Sequence, residues 1–105
     1  RRPHHDNAWP RLGYAYRKLR NYDKSLAAYD RALTRNPRNR AAMEYLGEAY
    51  VELGRIGEAK SMLDKLAAEC RRISITFSDG KFTDGCEEFG DLKKTIEAAG
   101  EKSGY

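Results

Sequence analysis

A short all-α solenoid of two stacked helical hairpins, closed by a C-terminal capping helix, is the fold this sequence predicts, and three observations predict it. First, Trp9, Leu12, Gly13 and Tyr16 return as Met43, Leu46, Gly47 and Tyr50, each 34 residues later, a period at which two-helix units stack side by side. Second, apolar residues inside each unit recur at helical spacing: Leu12, Tyr16 and Leu19 stand at i, i+4 and i+7, with Trp9 beside them. Third, Cys86, Phe89, Leu92, Ile96 and Ala99 carry the same spacing near the end of the chain, where a stack of only two hairpins needs cover for its thin core.

Taken in order, residues 1–6 are a polar tail and residues 7–39 form the first hairpin. Pro10 is tolerated because the first turn of a helix has no intrahelical partner for its backbone donors. Glycine at position 13, on the Leu12/Tyr16 face, lets the returning helix approach closely. Asn21 and Asp23 are candidate caps for that helix, whose Leu26, Tyr29, Ala32 and Leu33 supply the facing stripe before Asn36-Pro37 stops it. Residues 40–71 repeat the plan with Met43, Leu46, Gly47, Tyr50, Ala59, Leu63 and Leu66.

Residues 72–83 interrupt it. Ile73, Ile75 and Phe77 alternate with polar residues, and Ser78-Asp79-Gly80-Lys81 turns the chain before Phe82. The pattern reads either as a short β-hairpin, whose apolar side is a candidate dimerisation surface, or as an irregular loop tucking Phe77 and Phe82 onto the cap. The capping helix is expected over 84–100, with Asp84 and Glu87 as a capping box and Gly100 as its stop, lying on Ile56, Met62, Leu63 and Leu66. Residues 101–105 are a second tail, so the chain is one domain.

The net charge of +4 hides an asymmetry. Residues 1–40 hold eleven Lys/Arg against three Asp/Glu, and residues 41–105 hold nine against thirteen, which separates +8 from −4. Such a dipole points either to an acidic partner or to head-to-tail stacking of copies, unless it reflects only solvated helix faces. No apolar run approaches membrane-spanning length and no signal-peptide pattern is present, so membrane insertion is not expected. The chain begins at Arg1 without an initiator Met, which reads as a processed product or an excised fragment.

Trp9, Leu12, Gly13, Tyr16, Ser25, Tyr29, Ala32 and Pro37 together resemble a tetratricopeptide repeat from end to end. The second copy keeps Leu46, Gly47, Tyr50 and Ala59, with Arg71 where the closing proline would fall. The resemblance implies a non-catalytic protein-interaction module whose first helices line a concave groove. In the first repeat the helical wheel then turns Asn7, Pro10, Tyr14, Arg17 and Lys18 toward that groove. In the second it turns Ala41, Glu44, Glu48, Val51 and Glu52. Carboxylates at i, i+4 and i+8 repel one another by roughly 0.2–0.5 kcal/mol per pair. They therefore call either for Arg17, Lys18 and Arg55 nearby or for a basic ligand. The expected partner is a peptide or protein segment, with Tyr14 as an amphipathic anchor and the three glutamates selecting positive charge. Members that grip a C-terminal carboxylate use a lysine and an asparagine where this chain has Pro10 and Tyr14, so that ligand is not expected.

Leu46 to Leu53, Cys70 and Cys86-Glu87-Glu88-Phe89 also resemble a group of small bacterial tetratricopeptide proteins that are commonly exported. Those proteins carry two cysteines close together just before the last helix; here Arg71 to Gly85 separates them. The resemblance implies export to the periplasm or beyond, with a Cys70–Cys86 disulfide. The alternative is two small buried thiols in a reducing cytoplasm. Cys70 ends one helix and Cys86 begins the one that returns against it, which is compatible with either.

No Ser/His/Asp, Cys/His or phosphate-loop arrangement is present, so no enzyme and no cofactor is expected. His4 and His5 sit in the tail far from either cysteine, which fits no zinc signature, and Asp79, Asp84, Glu87 and Glu88 lack the spacing of a calcium loop. Arg11, Arg17, Lys18, Arg20, Arg31, Arg35, Arg38 and Arg40, with Tyr14 and Tyr22 among them, raise nucleic-acid binding as a weaker alternative. They face different sides of two helices, and the acidic second half would repel phosphates.

Overall fold

The computed structural model describes residues 8–73, 77–78, 81–82 and 86–102. His4, His5, Asn7, Ile75, Asp79 and Asp84 lie outside the described residues. The helices are α1 (Ala8–Lys18), α2 (Tyr22–Arg35), α3 (Arg40–Glu52), α4 (Ile56–Arg72) and α5 (Glu87–Lys102). Between α4 and α5, β1 (Phe77–Ser78) pairs antiparallel with β2 (Lys81–Phe82), Phe77 opposite Phe82 and Ser78 opposite Lys81. β2 runs beside α5.

Local chemistry sets the helix ends. Asn21 caps α2 by accepting from the Lys24 amide at 3.3 Å, and Asn39 caps α3 by accepting from the Ala42 amide at 3.0 Å. Each first helix ends on a residue in the left-handed region, Arg20 at φ 62° and Gly54 at φ 77°, 34 positions apart. The following amides, of Asn21 and Arg55, then donate back to the Tyr16 and Tyr50 carbonyls at 2.9 and 2.7 Å. The hairpin turn is therefore repeated as faithfully as the apolar pattern.

α1 packs on α2, α3 on α4, α2 on α3, and α5 closes the stack against both α3 and α4. One continuous core results, running from Tyr29 through Met43, Leu46, Met62 and Leu66 to Cys70, Cys86, Phe89, Leu92 and Ile96. Cys70 and Cys86 are joined there, their Cα atoms 6.2 Å apart. The two repeat glycines admit different neighbours. A Cβ on Gly13 would stand 2.5 Å from the Tyr29 ring, whereas one on Gly47 would stand 2.6 Å from a Leu92 methyl of the cap. The cap thus seats on the glycine face of α3 as well as on α4.

Two expectations are corrected. The packing face of α1 is not Leu12/Tyr16/Leu19: Leu12 is 41% and Leu19 75% exposed, while Pro10, Gly13 and Arg17 are buried. The close approach of Tyr29 at Gly13 turns α1 so that its glycine arc, and not its apolar stripe, meets α2. Gly100 does not stop the last helix, which continues to Lys102; glycine weakens a helix by only about 1 kcal/mol and ends it only where the backbone turns left-handed.

Candidate functional site

The residues expected to line a groove come from α1 and α3, which the α2 connection sets side by side. Tyr14 is 39% exposed, and its ring stands 5.6 Å from that of Tyr45 at 44°; the Tyr45 ring is in turn 6.2 Å from buried Tyr29. Tyr45 belongs to this aromatic ladder although sequence reasoning left it out. Its signal was available: Tyr45 stands 34 residues after Arg11, beside the groove arc on the helical wheel. Arg17 and Lys18 hold their cations 5.1 and 5.5 Å from the Tyr14 ring centroid.

Arg17 is a seam residue, contrary to the expectation that it and Pro10 face a ligand. It is 8% exposed and holds Glu48 at 3.2 Å and Glu52 at 3.7 Å. Burial alone would lower its pKa, but Glu52, Tyr29 and Glu48 together hold it above the ordinary value. Glu52 also accepts from the Tyr22 hydroxyl at 2.9 Å, so its carboxylate is committed within the molecule. Lys18, Arg20 and Tyr22 join Arg17 and Glu52 around an open polar cavity of about 380 Å³ at this end of the seam.

Glu44 stands apart from that pairing. Its carboxyl is pushed up to about 9, first by burial, then by a hydrogen bond with Glu48 and by the charges of Glu48, Asp91 and Glu88. It therefore holds a proton at neutral pH. Glu88 and Asp91 belong to α5, so the cap completes the acidic site, and no repeat pattern in the sequence could have placed them there. The sign of the pH effect follows. Between the ordinary value of 4.5 and about 9 the folded state keeps a proton that the unfolded state releases, so stability present in acid is lost as pH rises through that window. We expect Glu44→Gln to match the parent at pH 4 and to exceed it by about 1–2 kcal/mol at pH 8 in urea unfolding. A variant difference of the same size at both pH values would show that Glu44 titrates alike in the folded and unfolded protein.

Much of the charge asymmetry is used inside the chain. Arg17 meets Glu48 and Glu52, Arg38 meets Glu69 at 3.9 Å, and Arg40 meets Glu88 at 3.9 Å. Basic residues from the first forty positions thus clamp acids of the second repeat and the cap. Among the described residues no group of histidines, cysteines and acids is arranged to hold a metal ion, and no helix is long and apolar enough to cross a membrane.

A family model described as a tetratricopeptide repeat matches residues 11–70. The chain belongs to the tetratricopeptide repeat family. Members of this family generally mediate protein–protein interaction and are generally non-catalytic. No curated protein and no solved structure matches the chain significantly. Within the tetratricopeptide frame, α1/α2 and α3/α4 are the two repeats and α5 is the helix that covers the second.

Proposed function

We propose that the chain is a peptide-binding tetratricopeptide module whose α1/α3 groove takes a basic segment of a protein partner. The observation that carries this reading is the acid-rich seam formed by Glu44, Glu48, Glu88 and Asp91. Among the described residues the cations paired with it are Arg17, on Glu48, and Arg40, on Glu88. A lysine or arginine laid between Glu44 and Asp91 would restore the ionised form of Glu44 and relieve the repulsion there. Tyr14, half-exposed beside Tyr45, offers the flat amphipathic surface on which an aliphatic stem packs. Tyr14, Lys18, Glu44 and Glu48 remain the groove residues of this reading, whereas Arg17 and Glu52 hold the groove walls together. The bond between Cys70 and Cys86 belongs to the same reading, since it ties down the cap that brings Glu88 and Asp91.

The test is titration of a labelled Lys/Arg-rich peptide, followed by anisotropy, against the parent and a Glu44→Lys/Asp91→Lys variant. The expected result is at least tenfold weaker binding by the variant, steep weakening with salt, and parental affinity that rises with pH between about 6 and 9 as Glu44 gives up its proton. Equal affinity of parent and variant would remove the groove as the binding site.

A further inference from the structure

We propose that the outer face of the first repeat, independent of the groove, docks an acidic amphipathic helix of another protein. Trp9, Leu12 and Tyr16 on α1 stand beside Ala27 and Ala28 on α2 around an open cavity of about 210 Å³ rimmed by Lys24 and Arg31. The molecule contains its own precedent for what covers such a face. Thirty-four residues on, Met43 and Leu46 occupy the places of Trp9 and Leu12, and there α2 packs on α3, with Met43 and Leu46 in one core with Tyr29 of α2 and only 4% and 2% exposed. Leu26, Tyr29 and Leu33, at i, i+3 and i+7 on α2, belong to the core that α3 enters. The same stripe on α1 leaves Leu12 41% and Leu19 75% exposed. A face that a helix covers in one repeat, with small alanines forming holes in its floor, is shaped for a helix in the other.

Charge selects which helix. Arg31 holds its guanidinium 5.1 Å from the Trp9 ring centroid, and Lys24 its ammonium 5.6 Å from that of Tyr16. Among the described residues neither has a carboxylate partner. Exposed Arg35 lies on the same arc of α2 as Lys24 and Arg31. At 3.6 residues per turn Asp23 and Asp30 stand about 100° round α2 from Lys24 and Arg31, and Asp30 exerts its charge on Tyr50 of α3. The charged side chains that line the cavity are Lys24 and Arg31, and its occupant needs apolar residues at i, i+3 and i+7 flanked by Glu or Asp. A second copy is a poor occupant, because two such faces repel and the α2 stripe that would fill the cavity is already buried in each molecule.

Trp9 is the only tryptophan, so its fluorescence reads this face directly. The probe is a synthetic helical peptide with Leu at i, i+3 and i+7 flanked by Glu, compared with its twin carrying Lys in place of Glu. The expected result is a saturable blue shift of Trp9 emission with the acidic peptide and at least tenfold weaker binding of the twin. Leu12→Glu and Lys24→Glu, both surface changes that should leave the helical circular dichroism intact, are each expected to weaken the acidic peptide at least tenfold. Lys60→Glu, on exposed α4 surface, is expected to leave it unchanged. The proposal is overturned by no Trp9 shift, by equal binding of the two peptides, or by parental affinity in the Leu12→Glu variant. It is equally overturned by a concentration-dependent blue shift without peptide accompanied by dimer mass in sedimentation, which would make the occupant a second copy.

Discussion

Replacing Arg17 with alanine is expected to destabilise the protein by about 3 kcal/mol at pH 7, because breaking a buried ion pair leaves its partners unpaired. The guanidinium is 8% exposed and Glu48 is 16% exposed, so water cannot substitute for the lost cation at Glu48. Glu52, at 44%, is reached by solvent, which keeps the estimate at the low end of the range for such pairs, about 3–5 kcal/mol. Two consequences separate this mechanism from simple loss of packing. Arg17→Lys keeps a charge but not the planar fork, so it should recover part of the loss. The Arg17→Ala penalty should also shrink as pH falls through the carboxylate range, since protonated glutamates need no cation. Urea unfolding of parent and both variants at pH 7 and pH 4 measures this. An Arg17→Ala penalty of equal size at both pH values would assign the loss to packing and remove the electrostatic seam between the repeats.

Breaking the Cys70–Cys86 link is expected to cost a similar amount, about 3 kcal/mol, the chain-entropy value for closing a loop of roughly 15 residues. The two cysteines are 16 residues apart in sequence and 0% and 3% exposed, so the bond is shielded and reduction should need partial unfolding. The effect concentrates on α5, whose start the bond ties to the end of α4. We expect the reduced protein and a Cys70→Ala/Cys86→Ala variant to lose helicity in α5 before α1 to α4, and binding of the basic peptide to fall with it. Thiol counting in denatured, never-reduced protein should give none, and the denaturation midpoint should drop on adding a reductant. Two free thiols with an unchanged midpoint would leave the cap held by Phe89, Leu92 and Ile96 alone.

The stabilities expected of Arg17, Glu44 and the cysteines all concern joints between elements, and those joints divide what was legible in the sequence from what was not. The 34-residue echo of Leu12, Gly13 and Tyr16 marked two hairpins because helical periodicity and a repeat length are properties of one chain read in order. Asn21 and Asn36-Pro37 marked the ends of α2 for the same reason, since capping involves atoms only a few residues apart. The stripe from Cys86 to Ile96 announced a capping helix. Where that helix would sit was decided by α3, whose Gly47 leaves room for Leu92.

The α1 face is the clearest case of tertiary decision. Its apolar stripe predicted burial of Leu12 and Leu19, yet the tight contact of Gly13 with Tyr29 rotated the helix and set Arg17 into the seam. Likewise Glu44, Glu48 and Glu52 looked equivalent at i, i+4 and i+8, and only the neighbours supplied by other elements made them different. Arg17 and Tyr22 occupied Glu52, Arg17 took Glu48, and Glu88 and Asp91 of the cap left Glu44 holding its proton. By itself the sequence determined the helices, their pairing into hairpins and the family to which they belong, because those depend on contacts within one repeat. Rotation of each helix about its axis, and with it which charges meet, was decided by steric fit between repeats, where one glycine facing one tyrosine outweighs an apolar stripe.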